Sequence, residues 1–270
     1  MTGPVRYAQA VITNLGTALL SLVDAFRQTV TETGQMLIML WQSVKFTFTP
    51  PVRWRLIVDQ MHFVGVGSLF IVVLTAIFSG MVFALQSGRA FAIFGAETLT
   101  GSVVMMTLTM EIAPTLTALM VSARAGSAMA AQIGTMQVTQ QVEALSAMAV
   151  NPVGYLVAPR IIGTILTTPI LTSIFNCVGM IGAYIVCVKL LKIDEGAFLE
   201  KTRYYVDVPD FVQGLFKSVF FGAILSLVSC YQGFQARKGA FDVGRRVTMA
   251  VVISSVTILV ADYFITAILF

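Results

Sequence analysis

Three ionisable residues stand inside long apolar runs of this sequence, and they are where chemistry could be done. Glu111 lies near the middle of Leu99–Ala123, Lys217 inside Phe211–Ala236, and Asp262 inside Val247–Phe270. On insertion scales such a residue costs about 2.5–3.5 kcal/mol at the centre of a membrane helix, so it normally faces protein or water and has a partner. Counting from the outer ends of the runs at about 1.5 Å per residue sets Lys217 about 9 Å and Asp262 about 12 Å deep, with Glu111 at about 18 Å. These depths predict a Lys217–Asp262 pair, either a structural tie or part of a polar cluster that moves at a gate or a dimer interface.

Other reactive chemistry is scarce. His62 is the single histidine, and without a second histidine or a cysteine cluster no metal site is expected. Cys177, Cys187 and Cys230 sit in apolar runs with no C-x-x-C spacing and read as small packing residues. The sequence has no G-x-x-x-x-G-K-[ST], G-x-S-x-G or H-E-x-x-H motif, so no ATPase or hydrolase site is expected and any energy input must come from elsewhere.

The elements that position the three charges follow from composition. Of the 270 residues, 57% are hydrophobic and 11% charged, against about a quarter charged in soluble domains, which makes this an integral membrane protein. The opening MTGPVRYAQAVITNLG lacks the features of a cleaved secretory signal, so the first residues are expected to belong to the working protein. Four runs, Val64–Leu85, Leu99–Ala123, Ile161–Val188 and Val247–Phe270, reach the length a spanning helix needs, and Phe211–Ala236 is interrupted only by Lys217. The runs lack the alternation of a membrane barrel. The expected fold is therefore all-α.

Two segments differ. Over residues 14–45, Leu15, Leu19, Leu22, Phe26, Val30, Leu37, Leu40, Trp41 and Val44 fall near one helical face, with Ser21, Asp24, Gln28, Thr31, Gln35 and Gln42 on the other. That pattern predicts an amphipathic helix lying in the membrane interface, ended by Pro50-Pro51. Between Ala123 and Pro159, Gln132, Gln137, Gln140, Gln141 and Glu143 interrupt the apolar residues, which makes a poor lipid-facing span. With that segment outside the membrane, five spans remain and the termini lie on opposite sides. One side then carries Arg6, Arg27, Lys45, Arg53, Arg55, Arg124, Arg160, Arg237, Lys238, Arg245 and Arg246, and the other Arg89, Lys189, Lys192, Lys201 and Arg203. The positive-inside rule places the amino terminus and the 124–160 segment in the cytoplasm and the carboxy terminus in the periplasm. No inverted internal repeat of the secondary-transporter kind is evident.

From about Pro50 onward the sequence resembles the MlaE/YrbE permeases, membrane subunits of bacterial ABC transporters that work with MCE proteins to move lipids. The resemblance is carried by Gly80-Met81-Val82 with Leu85-Gln86, by Glu111 followed by Pro114, and by Lys217-Ser218-Val219, Gly233 and Asp262 ahead of Thr266-Ala267. Its most specific part is ARAGSAMAAQIGTMQVTQQVEALSAMAVNPVGYLVAPR, from Ala123 to Arg160. The family often has an arginine immediately before the acidic residue of the second span. Here that position is Met110, which leaves Lys217 of some copy as the cation available to Glu111.

The resemblance implies a single permease domain over residues 1–270, with an interfacial region at 1–50 and a cytoplasmic coupling helix at 124–150 between the second and third spans. It implies that Arg124, Gly126, Ser127, Gln132, Gly134, Met136, Glu143, Pro152, Pro159 and Arg160 couple the permease to an ATPase, the small residues allowing close approach of another backbone. Packing within the same chain is the alternative use of those small residues. No cofactor is expected on this chain, ATP being bound by the partner ATPase. The implied assembly is a homodimer in the bacterial inner membrane with ABC ATPase subunits, a periplasmic MCE-domain protein and a lipid substrate of the phospholipid class, and with no nucleic acid. Phe83, Gln86, Phe91 and Phe94, at the outer end of the first run, have the mixed apolar and polar character that a two-chain lipid requires, or are ordinary lipid-facing side chains. A stand-alone channel or proton-coupled carrier using Glu111, Lys217 and Asp262 is the competing function.

Overall fold

The computed structural model describes residues 27, 30–46 and 54–269; the expectations made for residues 1–26, 28–29, 47–53 and 270, including Gln28 of the amphipathic helix and the Pro50-Pro51 break, lie outside them. Residues 30–46 form helix α1. It is followed by α2 (Trp54–Ala92), α3 (Glu97–Val138), the short α4 (Gln141–Ala147), α5 (Val153–Leu190), α6 (Glu195–Tyr205), α7 (Val208–Phe234) and α8 (Ala240–Leu269). Among the described residues there is no strand, and five helices, α2, α3, α5, α7 and α8, are long and apolar enough to cross a membrane. Helix is what such runs must form, because a lipid-embedded backbone has to satisfy its polar groups within the segment.

The spans pack through small residues. Gly80 of α2 lies directly against the Gly179 backbone of α5, and Gly182 against the Ile77 carbonyl, so neither glycine has room for a side chain. With little apolar driving force between helices in lipid, such close approach supplies the packing energy. Ser122 and Ser254 hydroxyls meet at 2.5 Å, tying α3 to α8. A core of Val72, Ala76, Leu108, Phe175, Phe221 and Leu225 fills the space between α2, α3, α5 and α7.

The connections are capped as their sequences require. The Asp194 side chain accepts from Ala197 N at 2.9 Å to start α6, and Asp207 with Asp210 forms a reciprocal capping box at α7. Asn151 accepts from Val153 N at 2.9 Å ahead of α5. Helix α6 folds back on α3, with Phe198 and Thr202 over Gly101 and Lys201 Nζ bonded to Thr98.

The second span differs from its expected bounds. α3 runs unbroken to Val138, 42 residues in all, so the small-residue block is its last third and not a separate helix. Ala125, Gly126, Met129, Ala130, Ile133 and Gly134 are buried. A β-carbon on Gly126 would lie 2.7 Å from Ser229 Oγ of α7, and one on Gly134 would lie 3.2 Å from Val243 of α8. The chain leaves α3 only at Thr139, through Gln140 at φ 59°, and leaves α4 through Ala149 at φ 60°.

Candidate functional site: a charged triad beside an apolar cavity

Helix α3 makes one turn of π-helix, Leu108–Ile112, at Glu111. Such a bulge redirects the side chains that follow it and is frequent at functional sites. Pro114 removes a backbone donor just beyond it, and the Thr115 hydroxyl donates to the Glu111 carbonyl. Lys217, completely buried on α7, reaches this turn. Its Nζ lies 2.7 Å from Glu111 Oε2 and 3.3 Å from Asp262 Oδ1, and donates to Thr266 Oγ1 at 2.8 Å.

The Lys217–Asp262 neighbourhood expected from depth is therefore a triad, with Glu111 of the same chain as the closer partner. Depth counted along parallel helices separates Glu111 from the others; the extended lysine side chain and the π-turn close that gap. Thr266 also lies within 3.4 Å of Glu111 Oε1 and donates to the Asp262 carbonyl at 2.7 Å. One buried ammonium thus faces two carboxylates, of which Glu111 is one-third and Asp262 one-fifth exposed. Asp262 Oδ1 is buried and has no well-aligned hydrogen-bond donor among the described residues, so its 3.3 Å tie to Lys217 is chiefly that of an ion pair.

Asp262 also faces an open cavity of about 560 Å³ between α2, α3 and α8. Its walls are mostly apolar, from Phe78, Val82, Phe83, Ile112, Leu116, Leu119 and Leu259, with Ser79, Gln86 and Thr115 as the other polar groups. That volume lies in the range of small-molecule sites. Phe83 and Gln86 line it; Phe91 and Phe94 do not, and Phe94 is 81% exposed. Residue character marks all four alike, and only the packing of α3 and α8 against α2 selects Phe83 and Gln86. Apart from Asp262, the remaining lining residues come from three helices and have no signal of their own in the sequence.

The ten residues expected to couple to an ATPase separate into two groups. Gly126, Gly134, Pro159 and Arg160 are buried, while Gln132 and Glu143 are exposed and Arg124, Ser127, Met136 and Pro152 half-buried. The Arg160 guanidinium bonds Gln132 Oε1 at 3.2 Å and the Leu156 carbonyl at 3.3 Å. That of Arg124 bonds the Phe63 carbonyl, stacks 4.6 Å from the Phe63 ring and covers Gly67. Both arginines thus hold α3 to neighbouring spans. Of the two exposed residues, Gln132 lies on α3 and Glu143 on α4, where Gln141, Ala144, Ser146 and Ala147 are exposed as well.

The family model described as Permease MlaE matches residues 57–268. A probable ABC transporter permease protein of Rickettsia felis is 42% identical over 237 residues, covering 88% of this chain and 92% of that one. A probable ABC transporter permease protein of Synechocystis is 38% identical over 238 residues, 88% of each chain. The intermembrane phospholipid transport system permease protein MlaE of Haemophilus influenzae is 35% identical over 224 residues, 82% of this chain and 86% of that one. With a family match that takes in all five spans, the triad and the cavity, this chain belongs to the MlaE permease family and is a multi-pass transporter permease subunit.

Proposed function

We propose that this chain is the membrane subunit of an ATP-driven phospholipid transporter, passing lipid between the bacterial inner membrane and a periplasmic MCE-domain protein. The observation that carries the reading is the open apolar cavity with a charged triad at its edge. Acyl chains fit the Phe78, Phe83, Leu116 and Leu259 walls, and Gln86 and Asp262 offer polar contacts to a head group. The phospholipid transport named for the Haemophilus relative supports the same substrate class.

Two such chains work as a homodimer with ATPase subunits beneath them. The coupling element is α4 with its flanking turns, because Gln141, Glu143, Ala144, Ser146 and Ala147 are exposed and its ends are held at Gln140 and Ala149 in a conformation rare for non-glycine residues. The lysine and arginine distribution puts this element and the amino terminus in the cytoplasm and the carboxy terminus in the periplasm.

The test is mass spectrometry of the gently extracted complex, comparing the native chain with Leu116→Trp. The native chain should carry an ATPase and bound phospholipid. The tryptophan should fill the cavity and remove most of the lipid while the ATPase stays. A native complex without an ATPase would favour a stand-alone channel or carrier, and lipid retention unchanged by Leu116→Trp would place the substrate elsewhere.

A further inference from the structure

A second cavity, of about 240 Å³, lies under α1 against the ends of α5 and α7. Gln35, Ile38, Met39 and Gln42 of α1 form one wall; Val153, Tyr231, Phe234 and Gln235 form the other. The α1 residues are spaced i, i+3, i+4, i+7, a single helical stripe. Amphipathic patterning assigns Gln35 and Gln42 to water, and both are exposed, lining the mouth of what is an open groove in the protein surface. Tyr231 OH donates to Gln35 Oε1 at 2.8 Å, and the Gln235 amide adjoins the same phenol. Gln42 has no hydrogen-bond partner among the described residues.

The chemistry of this lining is selective. Among the described residues no charged side chain lines it. Arg160 is occupied by Gln132 and Leu156, and the charges that reach Tyr231, Glu32 and Arg246, are of opposite sign and stand outside the walls. A phosphate needs cationic donors, whereas amides and a phenol both donate and accept, which suits hydroxyl and ester groups. The volume equals about eight waters at roughly 30 Å³ each, enough for a glycerol unit and its first methylenes but not for a whole lipid. Beside it Leu37, Ile38 and Trp41 of α1 are exposed, Trp41 by 74%, an apolar surface along which chains can leave.

We infer that the α1–α7 cavity binds the glycerol end of an uncharged, hydroxyl-bearing lipid of the diacylglycerol type, at a site separate from the triad cavity. The inference does not depend on which lipid the permease transports. Its test is photolabelling of the full chain in phosphatidylcholine nanodiscs, with a diacylglycerol carrying a diazirine near its ester groups and a phosphatidylglycerol probe labelled at the same carbon.

The diacylglycerol probe should label the peptides holding residues 35–42 and 231–235, and unlabelled diacylglycerol should compete. Val153→Trp, which fills the cavity, should abolish this labelling, and Gln42→Leu should reduce it about fivefold, the loss of roughly one hydrogen bond. Ile38→Trp, on the exposed wall, gives the same readout should Val153→Trp not fold. Equal labelling by the phosphatidylglycerol probe, or labelling that survives a folded cavity-filling variant, would mean ordinary surrounding lipid and overturn the inference.

Discussion

Lys217 Nζ lies 2.7 Å from Glu111 Oε2 and 3.3 Å from Asp262 Oδ1, so one buried cation serves two carboxylates. Removing one partner of a buried ion pair leaves an uncompensated charge and costs about 3–5 kcal/mol. Lys217→Met should therefore sharply lower the yield and thermal stability of the detergent-solubilised permease. Lys217→Met with Asp262→Leu should recover little, because the Glu111 carboxylate still lacks its cation. Adding Glu111→Gln should restore assembly. Full recovery in the double variant would show that Glu111 is not a working member of the triad.

If the triad moves during transport, the assembled triple variant should still transport lipid poorly, since an apolar contact replaces a fixed tie but not a switchable one. Transport at the native rate in reconstituted vesicles would reduce the triad to a structural tie.

Gly126 faces Ser229, and a β-carbon there would lie 2.7 Å from its hydroxyl oxygen. Gly126→Leu is thus expected to disturb the α3–α7 packing of the permease itself, with a cost of about 1–3 kcal/mol for overpacking. Size-exclusion profiles of the variant expressed without an ATPase check this. A normal profile together with lost ATPase retention would return Gly126 to the docking surface.

Ala149 holds a φ of 60° at the end of α4. Ala149→Gly should be neutral or slightly stabilising, and Ala149→Val should strain the turn by about 1–3 kcal/mol. If α4 is the coupling element, the valine variant should co-purify with less ATPase at unchanged permease yield. Undiminished ATPase in a folded valine variant would argue against α4.

Single cysteines at Gln140 and Gly196 should react with membrane-impermeant reagents from opposite sides, Gln140 from the cytoplasm. Cys177, which is exposed, must first be replaced, as must Cys187 and Cys230. Labelling of both from one side would break the five-span topology.

The sequence by itself determined the number and nature of the spans, because membrane insertion depends on local length and apolarity. It also marked Glu111, Lys217 and Asp262, since an ionisable residue in lipid is conspicuous without any neighbour being known. Tertiary structure decided their partnership: a single π-turn at Leu108–Ile112 and the reach of a lysine side chain join Glu111 to the other two, and no periodicity reports either. It also supplied neighbours within the chain for part of the block from Ala123, because small residues allow close approach to any backbone and their types do not say whose. Here Gly126 meets Ser229 of the same chain. Likewise Gln35, exposed as its face of α1 predicts, accepts from Tyr231 of α7, a partner that no pattern in the sequence announces. Polarity in a sequence states what a side chain requires, and only the packed neighbours decide what supplies it.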